Sequence, residues 1–249
     1  MNDEPRTASL PIRHTIAGVV DFYRRHWRVL IPLSLVALLP QAIGDAAIGD
    51  LEIDGFHPLA DATKVLTGLL TVAINLGGEA LYSGIIAAFA LHWRAGISRP
   101  DLREVARRIP YLTLIAADVV IAVGTALGLA LLVVPGIMFI TYTFIAPPLI
   151  EVRDLGLRAA LRESVRLVRG NFWRVLALVV IFYGGTELVT SLVMLPFHDF
   201  ESEAVAHLAI EAVLEPFQGA AAVIIALALL EIHGVEPVAP GTERPARRE

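Results

Sequence analysis

The feature that most constrains this chain is a series of long apolar runs with no lysine or arginine inside them except near their ends. The runs 29–48, 65–91, 111–134, 175–195 and 208–232 each approach or exceed the ~20 residues an α-helix needs to cross ~30 Å of hydrocarbon. A sixth, 136–150, is shorter and ends at Pro147-Pro148. In lipid every backbone N–H and C=O must be satisfied internally, which leaves helices as the form these runs can take. The expected fold is therefore all-α: a polytopic integral membrane bundle of six transmembrane helices within residues 1–235, followed by a disordered tail at 236–249. Composition agrees. Hydrophobic residues make up 56% and charged residues 18%, against roughly 45–50% and about 25% in soluble domains. The chain has no cysteine, which excludes disulfides, thiolate metal sites and cysteine nucleophiles. Residues 1–28 lack the apolar core and small-residue cleavage site of a signal peptide, so the first span is expected to act as the targeting signal.

The basic residues set the orientation. Arg13, Arg24, Arg25 and Arg28 precede the first span. Arg94, Arg99, Arg103, Arg107 and Arg108 lie between the second and third, and Arg153 through Arg174 between the fourth and fifth. Arg244, Arg247 and Arg248 follow the sixth. The alternate loops are acidic, with Asp45, Asp50, Glu52, Asp54 and Asp61 in one and Asp199, Glu201 and Glu203 in another. Val134-Pro135-Gly136 reads as the remaining turn on that side. Six spans place every arginine on one side, with both termini cytoplasmic in a bacterial inner membrane. A re-entrant 136–150 would break that pattern. Trp27, Trp93 and Trp173 fall at the same ends, as an aromatic belt requires.

Between the fourth and fifth spans, Leu157, Leu161, Val165 and Val168 recur at helical spacing beside Arg158, Arg162, Arg166 and Arg169. This predicts an interfacial amphipathic helix, apolar face in the bilayer and guanidinium groups toward lipid phosphates. A soluble connector is the plainer alternative. His26-Trp27-Arg28-Val29-Leu30 and Phe172-Trp173-Arg174-Val175-Leu176 form a weak repeat, suggesting hairpins each introduced by such a segment.

The run VPGIMFITYTFIAPPLIEVRDLGLRAALRESVRLVRGNFWRVL, beginning at Val134, resembles the membrane domain fused to some bacterial glycerophosphoryl diester phosphodiesterases. The resemblance rests on Pro135-Gly136, Pro147-Pro148, the turn Glu151–Gly156, Ala159-Ala160-Leu161 with Ser164, and Gly170-Asn171-Phe172-Trp173. It weakens at Leu229–His233, and no catalytic domain accompanies it. It implies a fold and a membrane location, and no reaction.

Glu79, Asp118, Glu187 and Glu215 lie inside expected spans, where an ionisable group is costly and marks a site by default. Glu79 and Trp93, like Trp173 and Glu187, are 14 positions apart, about 21 Å of helix. Glu79, Glu187 and Glu215 are thus expected to share one layer in the outer half, with Asn75 a turn before Glu79. Gly77-Gly78, Gly184-Gly185 and Pro216 beside them loosen the helices. Such a layer reads either as protonated packing or as a proton, cation or amphiphile path. Asp118 reads as structural. The chain shows no zinc-protease helix, nucleophile elbow or phosphate-binding loop. His198, Asp199 and His207 match no metal template.

No enzyme activity and no cofactor or metal are expected, and the basic residues serve topology rather than nucleic acid. Three readings stay open. The first is a non-enzymatic, lipid-interacting or membrane-organising protein. The second is a small transporter with an acidic outward cavity. The third is a membrane accessory module for a lipid-metabolising enzyme. The partners these imply are the phospholipid bilayer, a specific lipid or small molecule, and a second copy or another membrane protein.

Overall fold

A computed structural model describes residues 9–49, 58–96, 100–196 and 200–238. The expectations about Arg99, His198, Asp199, the loop acids Asp50, Glu52 and Asp54, and the tail from 239 lie outside these residues. The described chain is helical, with no strand. Its elements are α1 (Ile12–Gly49), α2 (Pro58–Ala95), α3 (Leu102–Arg108), α4 (Tyr111–Leu131), α5 (Val133–Thr143), α6 (Ala146–Arg153), α7 (Leu157–Arg169), α8 (Phe172–Val179), α9 (Gly185–Met194) and α10 (Phe200–Ile232). A π-helical turn, Val180–Gly184, joins α8 to α9. Four stretches among the described residues are long and apolar enough to cross a membrane: Tyr111–Leu131, Val133–Arg153, Phe172–Met194 and Val205–Ile232. Beside them stand α1 and α2, each 38 residues long.

Helix α10 is the axis of the core. Its residues 220–227, with Leu229 and Leu230, are buried, and it packs on both α1 and α2. Phe22, Leu30, Ile86, Leu149, Leu178 and Ile225 are among the largest fully buried side chains of the core. With no hydrophobic drive between helices in lipid, close approach through small residues has to supply the packing. Ala220, Ala221, Ala222 and Ala226 provide that surface.

The α4–α5 hairpin differs from expectation at its turn. The break falls at Leu132, which is extended (φ −164°, ψ 144°), and Pro135-Gly136 lies inside the first turn of α5. Proline is tolerated there because a first-turn N–H has no intrahelical partner to lose. The two helices touch through glycine. A Cβ on Gly128 would come within 2.7 Å of Gly136 Cα, and one on Gly124 within 2.3 Å of the Phe139 ring. Gly124 and Gly128, four positions apart, thus let the two helices approach closely.

The run 136–150 also needs correcting. It belongs to a longer stretch, 133–153, broken after Thr143. Pro147-Pro148 opens α6 instead of ending a span, again by lying in a first turn. The basic segment before the first span is no separate interfacial helix, because α1 runs through it unbroken.

The arginine-rich segment 153–174 and the chain around it form what is called the basic end. Both ends of the described chain are pinned to it. Leu10, 1% exposed, donates its N–H to Asn171 Oδ1 (2.9 Å) and accepts at its carbonyl from Arg174 (3.2 Å). At the other terminus Val238 donates to the Val152 carbonyl (2.8 Å), so the first residues of the expected disordered tail are in place.

Candidate functional site

Two adjacent helices are interrupted and held by side chains from their neighbours. Pro216 lies within α10 and has no N–H for the carbonyl four residues earlier, Ala212. The Ser34 hydroxyl of α1 donates to that carbonyl at 2.6 Å. The next carbonyl, Val213, accepts from the Tyr23 hydroxyl at 2.9 Å. In the facing helix, the π turn is followed by Thr186, whose hydroxyl donates to the carbonyls of Phe182 (2.8 Å) and Tyr183 (2.9 Å). The Gln218 amide of α10 donates to Thr186 Oγ1. Phe217 packs edge-on against Phe182 and Tyr23, with ring centroids 5.3 and 5.6 Å away. π-Helical turns are rare and occur often at functional positions.

Acidic side chains gather near this point, though not quite the expected set. Glu79 of α2 lies within electrostatic reach of both Asp118 of α4 and Glu215 of α10. Tyr183 lies within reach of all three. Asp118, expected to be structural, therefore belongs to the group. Glu187 lies in the first turn of α9 with an exposed side chain, and the side chain of Glu79 is exposed as well. Asn75 is on α2, with its side chain outside the described set. Tyr82 is buried three residues on from Glu79 and sits beside Ser34. Along α10, His207 pairs with Glu211 (3.3 Å), one turn before Glu215. Among the described residues no group of acids and histidines is placed to hold a metal ion. Carboxyls and tyrosine hydroxyls without a lysine or arginine among them can exchange protons or accept a cationic group.

At the basic end, α7 forms as the spacing predicts, but its apolar face is used by the protein itself. Ala160, Ser164, Leu167 and Val168 are buried against a surface built from α4, α5, α6, α8 and α10. The Ser164 hydroxyl donates to the Tyr142 carbonyl at 2.6 Å. An apolar face lying in the bilayer plane is thereby replaced by packing on the bundle end. Arg158, Arg162 and Arg169 remain exposed on the opposite face. Arg166 is engaged, donating to Glu163 at 2.6 and 2.8 Å, and Arg153 approaches the same carboxylate at 3.5 Å. The hydrogen bond from Arg166, with the added charges of Arg166, Arg153 and His233, holds the Glu163 carboxyl below its ordinary pKa. Trp173, 77% exposed, follows in the first turn of α8. Arg28 lies 5.4 Å over the ring of Trp27 on α1.

Several residues of the site escaped sequence reading. Ser34, Tyr23 and Tyr82 carry no motif. Pro216 alone implies that the Ala212 carbonyl needs a donor, and only the fold supplies its identity. Ser164 and Asn171, noticed through the family resemblance, serve to hold the basic end together.

A family model described as a domain of unknown function (DUF7847) matches residues 59–233. No curated protein and no solved structure matches the chain.

Proposed function

The chain belongs to the DUF7847 family, and we propose that it is a non-enzymatic membrane protein that binds anionic lipid headgroups through its basic end. In this reading it spans the bacterial inner membrane six times with both termini cytoplasmic. The observation that carries it is the outward face of α7. Arg158, Arg162 and Arg169 stand exposed on a helix that the bundle holds by its other face, with Trp173 exposed beside it. Each basic group near an anionic leaflet contributes about 1 kcal/mol, and an exposed tryptophan suits the headgroup layer.

The test is native mass spectrometry of the protein released from nanodiscs containing equal amounts of phosphatidylglycerol and phosphatidylethanolamine. Retention of phosphatidylglycerol above bulk proportion is expected, as is its loss in the Arg158→Gln, Arg162→Gln, Arg169→Gln variant. Lipid retained in bulk proportion, or unchanged in the variant, would rule the reading out.

A second reading, a small carrier, is favoured by Glu79, Asp118 and Glu215, on separate helices, lying within electrostatic reach of Tyr183. It requires ligand-driven uptake into proteoliposomes that Glu79→Gln abolishes without loss of folding. The accessory-module reading rests only on the resemblance to phosphodiesterase membrane domains.

A further inference from the structure

We propose that Pro216 and the π turn Val180–Gly184 form a single hinge, about which α9 and the 200–215 arm of α10 swing together against the rest of the bundle. The two interruptions face each other and are linked across the interface, Gln218 of α10 donating to Thr186 at the start of α9. Pro216 removes one α-helical hydrogen bond, and the π turn departs from the regular α-helical bonding pattern, so both are places where a helix bends. Side-chain hydroxyls bind carbonyls at both points. Ala212 and Val213 are held by hydroxyls of α1, and Phe182 and Tyr183 by the Thr186 hydroxyl. Single side-chain hydrogen bonds of this kind can be exchanged for water or another partner as the angle changes.

Packing is divided at the same level. Below the hinge α10 is buried from residue 220 to 227. Beyond it Val205 and Val213 of α10 and Leu188, Val189, Leu192 and Val193 of α9 are exposed. Among the described side chains of the arm only Ala212 is buried, whereas the lower segment is buried almost throughout, so the arm has less packing to break on moving. Glu215 rides on the arm next to the pivot, while Glu79 and Asp118 belong to α2 and α4, outside it. A swing changes the distance between the acids and so couples arm position to whatever occupies their layer. The arm spans about 24 Å, and a change of kink of about 20° displaces its tip by about 8 Å.

Pairs of spin labels on the full chain in nanodiscs test this, and the absence of cysteine leaves no background site. Labels at Val205 and Val36 should give two distances. Labels at Val205 and Leu192, both on the moving unit, should give one, as should Val36 and Leu127, both outside it. Pro216→Ala restores the missing hydrogen bond and should remove the second Val205–Val36 distance. Gln218→Leu unlinks the two helices and should split the Val205–Leu192 distance. Where Pro216→Ala does not fold, Ser34→Ala should still alter the ratio of the two Val205–Val36 populations. One Val205–Val36 distance, unchanged in every variant, would overturn the proposal. So would a native Val205–Leu192 distribution as broad as that for Val205–Val36, since the helices would then move separately.

Discussion

Helices α4 and α10 are both long and apolar enough to cross a membrane, yet they sit in opposite surroundings. On α4 only Leu114 and Ala117 are buried, and Leu112, Val119, Val120, Val123, Leu127 and Leu131 face outward. On α10 an unbroken run from 220 to 227 is buried among α1, α2 and α6. Hydropathy therefore marks both segments as long and apolar enough to cross a membrane and says little about their protein neighbours. Residue size carries that information. On α10 small residues occupy successive positions, Gly219 through Ala222, so several helices can approach at once. On α4 the small residues that matter, Gly124 and Gly128, lie four apart on one stripe and admit a single partner, α5.

The comparison breaks most readily at the glycine stripe. A side chain at Gly128 meets backbone atoms of Gly136, which cannot turn aside as a side-chain tip can. Gly128→Val is expected to destabilise the fold by about 1–3 kcal/mol, the usual range for overpacking. Leu127→Ala, one position away and 61% exposed, should stay within about 0.5 kcal/mol. Reversible unfolding of both variants in one detergent decides the matter. Equal losses would mean that α4 is held all round and that its outward face has a partner.

A smaller effect sharpens the contrast from the α10 side. Ser34→Ala leaves the Ala212 carbonyl without its donor beside Pro216. Hydrogen bonds between membrane helices are modest, and the expected loss is about 1 kcal/mol. Pro216→Ala in the Ser34→Ala background should recover most of it, because residue 216 would then supply its own N–H. Additive losses from the two changes would show that Ser34 acts by packing and not by satisfying the carbonyl.

The helices were legible in the sequence because apolar run length responds directly to bilayer thickness. The α4–α5 turn was misplaced because Pro-Gly punctuates loops and first helical turns alike, and only the close contact of Gly128 with Gly136 separates the two cases. The amphipathic helix α7 was legible, but its partner was not. A stripe of Leu and Val packs as well on a helix bundle as on lipid. In the acidic layer, counting residues from the tryptophan belt placed Glu79 and Glu187 at equal depth but carried no rotational information. Asp118, on another helix, falls within electrostatic reach of Glu79, which no count along a single helix can show.

The smallest expected effect lies where α6 meets α7, at a polar tie of Glu163 with Arg166 and Arg153. Glu163 is held below its ordinary pKa by its hydrogen bond from Arg166, with Arg166, Arg153 and His233 adding charge. A carboxyl whose folded pKa is lowered contributes stability that is fully present above its unfolded pKa and is lost as pH falls through the folded one. Arg166 is more than half exposed, its side chain at 54%, so solvent screening keeps the contribution below about 1 kcal/mol. Hydrogen exchange, corrected for intrinsic rates, should therefore show protection of α7 falling as pH drops below the ordinary carboxylate range. The α4–α5 hairpin, packed through glycine, should hold its protection over the same interval. In Glu163→Gln the α7 response should disappear and protection at neutral pH should already be reduced. A pH response that survives in that variant would assign the effect to another group, and one shared equally by α4 and α7 would mean that acid loosens the whole bundle and not this tie.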